Sequence, residues 1–238
     1  MTENQLKLDI CQIGKRMYDS GFVAANDGNI SVRLNTDEVI TTPTGVSKGF
    51  MTPEMLITVD MEGRVVSAEG DWRPSSELKM HLRVYRERPD VKAVVHAHPP
   101  YATTFAISHT SLNRPLIAEA VVMLGCVPVA DYGTPSTNEV PDAVAPFLEH
   151  FDAVLLANHG ALAWSDSLLT AYHKLESVEF YAKLTFLSNQ LGNAQELSNK
   201  QVQDLYQIRR RMGIAGRHPG GICGVSCGLQ CYRNSTEK

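Results

Sequence analysis

Residues 91–101, VKAVVHAHPPY, constrain this chain more than any other stretch. Ala93, Val94 and Val95 are apolar and strand-prone, and Pro99-Pro100 ends whatever strand they begin, because proline cannot donate to a sheet ladder. Side chains alternate across a strand, so His96 and His98 share one face while Ala97 turns away. Two imidazoles on one face at a strand end can grip a single cation. Zinc takes about four ligands from His, Cys and carboxylate, and a catalytic zinc keeps one position open.

Two histidines need company to make such a site. Residues 153–160, AVLLANHG, form a second apolar, strand-like run that delivers His159 at its end. Residues 74–77, PSSE, open an apolar-periodic helix marked by Leu78, Leu82, Val84 and Tyr85. Either serine is a suitable N-cap, which puts Glu77 in the first turn. Each histidine alone reads as an ordinary core or surface residue. The set of His96, His98, His159 and Glu77, all at element ends, reads as a metal site. Three imidazoles and a carboxylate suit zinc, with manganese or cobalt as substitutes.

Three turns nearby are rich in small donors. The first lies in AANDGNISVRL (24–34), where Gly28 frees the backbone and lets a ligand approach the amides. The second is PTGVSKG (43–49), whose hydroxyls, amides and lysine suit an anion. It lacks the GxxxxGK[ST] spacing of a Walker A loop. The third is Ser75-Ser76 at a helix start, where free amides favour a phosphate. Gly28-Asn29, Thr44-Gly45 and Ser75-Ser76 are thus candidate phosphate-binding segments. Singly each is turn chemistry; together, beside a candidate metal site, they describe a cup for a phosphorylated small molecule.

With 238 residues, 43% of them apolar, the chain can build one large core. A net charge of −4 argues against a phosphate-backbone binder, and the run at 209–211 (RRR) is too short to revive a nucleic-acid role. Residues 1–20 read as an amphipathic helix rather than a secretory signal. No apolar run approaches the ~18 residues of a membrane span. Five cysteines without a signal read as reduced thiols in a cytoplasmic protein. Cys223, Cys227 and Cys231 recur in a Gly-rich tail and fit no zinc-ribbon spacing, so they read as incidental.

Periodicity predicts helices near 3–20, 76–88, 101–109, 138–147, 168–191 and 200–212. It predicts strands near 30–34, 38–42, 55–59, 64–67, 93–98, 154–156 and 160–164. Residues 115–131 are mostly apolar and include Glu119, which is either a surface group or a site residue. Lys48, Lys79 and Lys92 read as surface or anion-binding groups. With no internal repeat or linker, residues 1–215 form one domain, an α/β or α+β fold on a mixed sheet, followed by a Gly- and Cys-containing tail at 216–238.

Taken with AANDGNISVR, TPTGVSKG, PSSELKMH, AVVHAHPPYAT and LLANHGALAW, the chain resembles the class II aldolase/adducin family, and within it the fuculose-1-phosphate aldolase branch. The resemblance spans roughly residues 5–190. It implies a three-layer αβα fold around a mostly antiparallel mixed sheet, assembled as a homotetramer with active sites between subunits. It implies zinc held by His96, His98 and His159, with Glu77 both ligand and catalytic acid/base. Gly28, Asn29, Thr44, Gly45, Ser75 and Ser76 would hold a sugar phosphate. The implied reaction cleaves a ketose 1-phosphate, of the fuculose or 5-deoxypentulose type, to dihydroxyacetone phosphate and a short aldehyde. A proton-donating tyrosine of that branch falls on Glu119, giving Glu119 a catalytic role here, and a second falls on Met212. Alternatives within the family are a ribulose-5-phosphate 4-epimerase and a methylthioribulose-1-phosphate dehydratase-like enzyme. A non-catalytic, adducin-like interaction module is the alternative outside enzymology.

Overall fold

The computed structural model describes residues 2–219. Eight strands form one sheet: β1 (Asn29–Arg33), β2 (Glu38–Thr41), β3 (Ile57–Asp60), β4 (Val65–Ser67), β5 (Ala93–Ala97), β6 (Val129–Ala130), β7 (Ala153–Leu156) and β8 (Gly160–Ser165). Their order is β4-β3-β2-β1-β5-β8-β7-β6. Every pairing is antiparallel except β6 with β7, so the sheet is mixed and mostly antiparallel, as expected.

The period-two pattern sorts the sheet's two faces into two cores. From β5, Ala93, Val95 and Ala97 enter one core and Val94 the other. From β8, Ala161 and Ala163 join the first while Leu162 and Trp164 join the second. Helices α1 (Glu3–Asp19), α3 (Pro100–Ile107) and α6 (Leu168–Leu191) cover the first face. Helices α2 (Leu78–Glu87) and α5 (Glu139–Val144) cover the second. This is the three-layer αβα arrangement. Two further helices, α4 (Ala118–Met123) and α7 (Asn199–Met212), pack on each other through Val121, Val202 and Tyr206.

Local chemistry sets the helix ends. The Thr2 hydroxyl accepts from the Gln5 N–H at 3.3 Å to start α1, and Ser167 caps α6 through the Thr170 N–H at 3.2 Å. Buried Tyr172, Leu175, Val178 and Tyr181 anchor α6 on the sheet. A fully buried side chain of that size is worth about 1.5–3 kcal/mol in transfer free energy.

Three sequence expectations change, and one stretch without an assigned element gains two. Helix α2 begins at Leu78, so Glu77 occupies the N-cap rather than the first turn. Lys48 is not a surface group: it sits in a short 3-10 turn, residues 48–50, and is only 1% exposed. The apolar run 115–131 holds a short helix and a two-residue strand. Cys11 is a free thiol, but Cys126 is disulfide-bonded, against the expectation of five reduced cysteines. Beyond α7, the chain returns to α4, where His218 Nε2 lies 2.7 Å from the Val121 carbonyl. Cys223, Cys227 and Cys231 lie outside the described residues. Among the described residues no helix is long and apolar enough to cross a membrane.

Candidate metal centre

Strand β5 carries His96 at its end and His98 just past it, and the three-residue connection from β7 to β8 delivers His159 beside them. The ring centroids are 4.9 Å apart for His96–His98, 4.8 Å for His96–His159 and 5.0 Å for His98–His159. Their ligand nitrogens all fall within 4.8 Å of one another. Close approach of the two chain segments depends on Gly160. A Cβ there would stand 2.5 Å from the Ala97 carbonyl oxygen and 2.6 Å from His98 Cδ2.

The hydrogen bonds decide which nitrogens face inward. His96 Nδ1 lies 2.9 Å from the Ala161 carbonyl, which only accepts, so Nδ1 carries the proton and the Nε2 lone pair is left free. His98 Nδ1 faces Asp27 Oδ2 at 3.4 Å, which leaves its Nε2 inward too. The two Nε2 atoms stand 3.1 Å apart. Two lone pairs at that distance repel unless a cation lies between them. Tetrahedral zinc, with nitrogens at about 2.0–2.1 Å, places its ligands about 3.3 Å from each other. The donor set therefore fits a divalent ion in both chemistry and spacing.

Glu77 closes the cluster from the N-cap of α2. Its Oε1 is 2.9 Å from His159 Nε2 and its Oε2 is 3.4 Å from His96 Nε2. Asn29 Nδ2 donates to Oε2 at 2.8 Å. Burial works to raise the Glu77 carboxyl, but the facing His96 and His159 and the Asn29 hydrogen bond overcome it and hold the group well below the usual carboxylate range. Burial lowers His96 well below the ordinary imidazole value, against the opposing pull of Glu77; burial and then the facing His159 lower His98. The directions at His96, His98 and Glu77 are those that favour metal binding, which takes unprotonated nitrogens and an ionised carboxylate. Among the described residues, buried His159 Nδ1 and Asn29 Oδ1 have no hydrogen-bond partner.

The three candidate phosphate segments meet at this same end of the sheet. Asn29 pairs with His96 across β1 and β5. Pro43 and Pro74 form an antiparallel bridge, Thr44 N–H donates to the Arg73 carbonyl, and Ser75 N–H donates to the Thr42 carbonyl. Thr44, Gly45 and Ser76 are exposed; Ser75 is half-buried. Gly45 has φ +74° with open space where a Cβ would point, so a ligand can come close to it. Gly28 differs: a Cβ there would meet Val23 at 2.7 Å and the His96 carbonyl at 2.9 Å, so its small size serves packing of the turn on β5. Ser75 is not a source of free amides as expected, since its N–H is engaged and its hydroxyl accepts from Glu77 N–H at 3.3 Å.

Glu119 stands apart. It is exposed in the first turn of α4, and among the described residues it forms no hydrogen bond or ion pair with the histidine cluster. Met212, at the end of α7, is also exposed. Sequence reasoning missed Asp27 as the partner of His98, and Asn29 as a clamp on Glu77. The signal for both was present in the ANDGN turn leading into a strand, which places two polar side chains where the sheet's neighbours can reach them.

A family model for the class II aldolase and adducin N-terminal domain matches residues 8–186. A 5-deoxy-D-ribulose 1-phosphate aldolase from Bacillus thuringiensis serovar kurstaki is 34% identical over 201 residues, covering 83% of this chain and 92% of that protein. A 3-oxo-tetronate 4-phosphate decarboxylase from Haemophilus influenzae is 32% identical over 209 residues, covering 86% and 98%. Among solved structures, an L-fuculose 1-phosphate aldolase superposes with a TM-score of 0.80 at 31% identity, covering 88% of this chain and 98% of that one.

Proposed function

The chain belongs to the class II aldolase and adducin family, and from that premise we propose that it is a metal-dependent aldolase cleaving a ketose 1-phosphate of the 5-deoxypentulose or fuculose type. The products are dihydroxyacetone phosphate and a short aldehyde. The observation that carries this reading is Glu77: an ionised carboxylate held between Asn29, His96 and His159, beside turns that suit a phosphate.

His96, His98 and His159 would hold the ion, with Glu77 as a fourth ligand; zinc suits the set, and manganese or cobalt could replace it. When bound, the ion supplies Lewis-acid stabilisation of charge developing on the substrate's carbonyl and hydroxyl oxygens. Glu77 sits half-buried at an element end, where its carboxylate would serve as the base that moves the proton at the reacting carbon. Gly28, Asn29, Thr44, Gly45, Ser75 and Ser76 line the turns that grip the phosphate, and the grip orients that carbon towards Glu77. In the homotetramer that family membership suggests, exposed Glu119 would stand near a neighbouring subunit's site and, after taking a proton from water, pass it to the aldehyde oxygen.

Similarity to the Haemophilus enzyme supports a second reading, loss of carbon dioxide from a 3-oxo acid 4-phosphate. Both reactions break a carbon–carbon bond next to a carbonyl and develop the same enolate charge, so the cluster serves either. Incubating the protein with dihydroxyacetone phosphate and a panel of aldehydes separates them. Condensation to a ketose 1-phosphate, stopped by a chelator, is the expected outcome. Glu77→Gln should lower proton exchange at C3 of dihydroxyacetone phosphate by about 10²- to 10⁴-fold. A metal-loaded protein with no condensation and no exchange would overturn the aldolase.

A further inference from the structure

Lys48 is a buried cation that the proposed chemistry does not use. It lies at 1% exposure, its Nζ donating to the Asn26 carbonyl at 2.9 Å and to the Val46 carbonyl at 2.6 Å. Among the described residues no carboxylate comes within 4.0 Å of it. A buried ammonium is costly unless paired, and carbonyl dipoles compensate it only in part. Its two acceptors are telling. Asn26 belongs to the turn that leads into Gly28-Asn29, and Val46 directly follows Thr44-Gly45. One side chain thus ties together two of the three turns assigned to the phosphate.

The backbone under Lys48 is itself pinned. Its turn presses on α1 at Gly14, where a Cβ would stand 2.7 Å from the Lys48 carbonyl oxygen. Gly49 lies against the Tyr18 ring in the same way, a Cβ meeting Tyr18 Cγ at 2.6 Å. The ammonium therefore cannot follow a ligand into solvent. It is a charge fixed in place behind the loops.

We propose that Lys48 is a positioning residue for the substrate's phosphate: it sets the separation of the Gly28-Asn29 and Thr44-Gly45 turns and supplies their fixed countercharge. The inference rests on the phosphate reading above. A phosphate dianion held by backbone amides gains from a cation whose field is not screened by water. Burial brings the Lys48 ammonium down to about 8, against the opposing pull of Asp27 and Glu77, as expected for a cation still lacking its anion.

Two substitutions separate the charge from the tie. Lys48→Gln keeps donors for both carbonyls and removes the charge; Lys48→Arg keeps the charge. The probe is inorganic phosphate, titrated by calorimetry into the metal-loaded protein, alongside steady-state kinetics with a ketose 1-phosphate. Lys48→Gln should weaken phosphate binding by about 10- to 100-fold and raise KM in step, with kcat within about threefold and metal content unchanged. Lys48→Arg should stay within about threefold of wild type on every measure. Unchanged phosphate affinity in folded Lys48→Gln overturns the proposal, as does equal loss in both variants. If Lys48→Gln does not fold, Lys48→Arg decides: retained affinity supports the role and lost affinity removes it. A wild-type protein that neither binds phosphate nor turns over a sugar phosphate takes away the phosphate cup itself, a different failure from phosphate binding that ignores Lys48.

Discussion

Two buried polar clusters occupy opposite ends of the same central strands, and they are built on opposite terms. At the end where β5 and β7 begin, Arg88 donates to Asp152 Oδ1 at 2.9 Å and to the Leu148 and Phe151 carbonyls. Lys174 donates to Asp152 Oδ2 at 2.7 Å and to Ser165 Oγ at 3.1 Å. Its charges are paired and its hydrogen bonds are made. At the other end, His96, His98, His159 and Glu77 crowd together with lone pairs facing, and His159 Nδ1 and Asn29 Oδ1 find no partner among the described residues. A finished network serves the fold, whereas an unfinished one is a request for a ligand.

Three experiments can break that contrast, ranked by their effect on stability. Asp152→Ala leaves buried Lys174 without a carboxylate, while Arg88 keeps Asp90 at 2.7 Å, and should cost about 3–5 kcal/mol, read from chemical denaturation, with metal binding per folded molecule unchanged. A cost near zero would mean the far cluster is not the structural one. Acid comes next. Burial lowers the imidazole of His81, one turn past Glu77, to about 4. Between pH 6.5 and 4 the unfolded chain takes up that proton and the folded chain does not. Stability is therefore complete above about 6.5 and falls by on the order of 3 kcal/mol towards pH 4. His81→Leu should flatten this dependence, since Ser31 keeps its 2.9 Å hydrogen bond to Tyr85; an unaltered acid slope would remove His81 as its source. The smallest effect belongs to His159→Ala. Metal-free stability should move by no more than about 1–2 kcal/mol, while bound metal, measured by atomic emission, disappears. Undiminished metal would take His159 out of the ligand set.

What could be read in advance followed from short-range periodicity. His96 and His98 share a face because strands alternate, and His159 was legible because an apolar run ends on it before a glycine. The sheet's alternation and most helix limits came the same way. Contacts across long sequence gaps could not be read. Nothing near Lys48 in the chain announces that Gly14 lets its turn dock on α1. Arg88 and Asp152 are 64 residues apart, and each alone looks like a surface charge. Residues 115–131 hid α4 and β6 because a continuous apolar run carries no period. Glu77 is the N-cap rather than a first-turn residue, since Ser75, one of the two candidate caps, accepts from the Glu77 N–H itself.

The sheet's register has one more consequence. His96 faces Asn29 on one side and Leu162 on the other, in the two ladders that flank β5. Sliding β5 by a single residue would turn its imidazole to the opposite face and dismantle the cluster. A cation seated among these histidines would reward only one alignment of the three central strands. The ion would act as proofreader of the folded chain as well as its reagent, and a misassembled copy would betray itself by arriving empty.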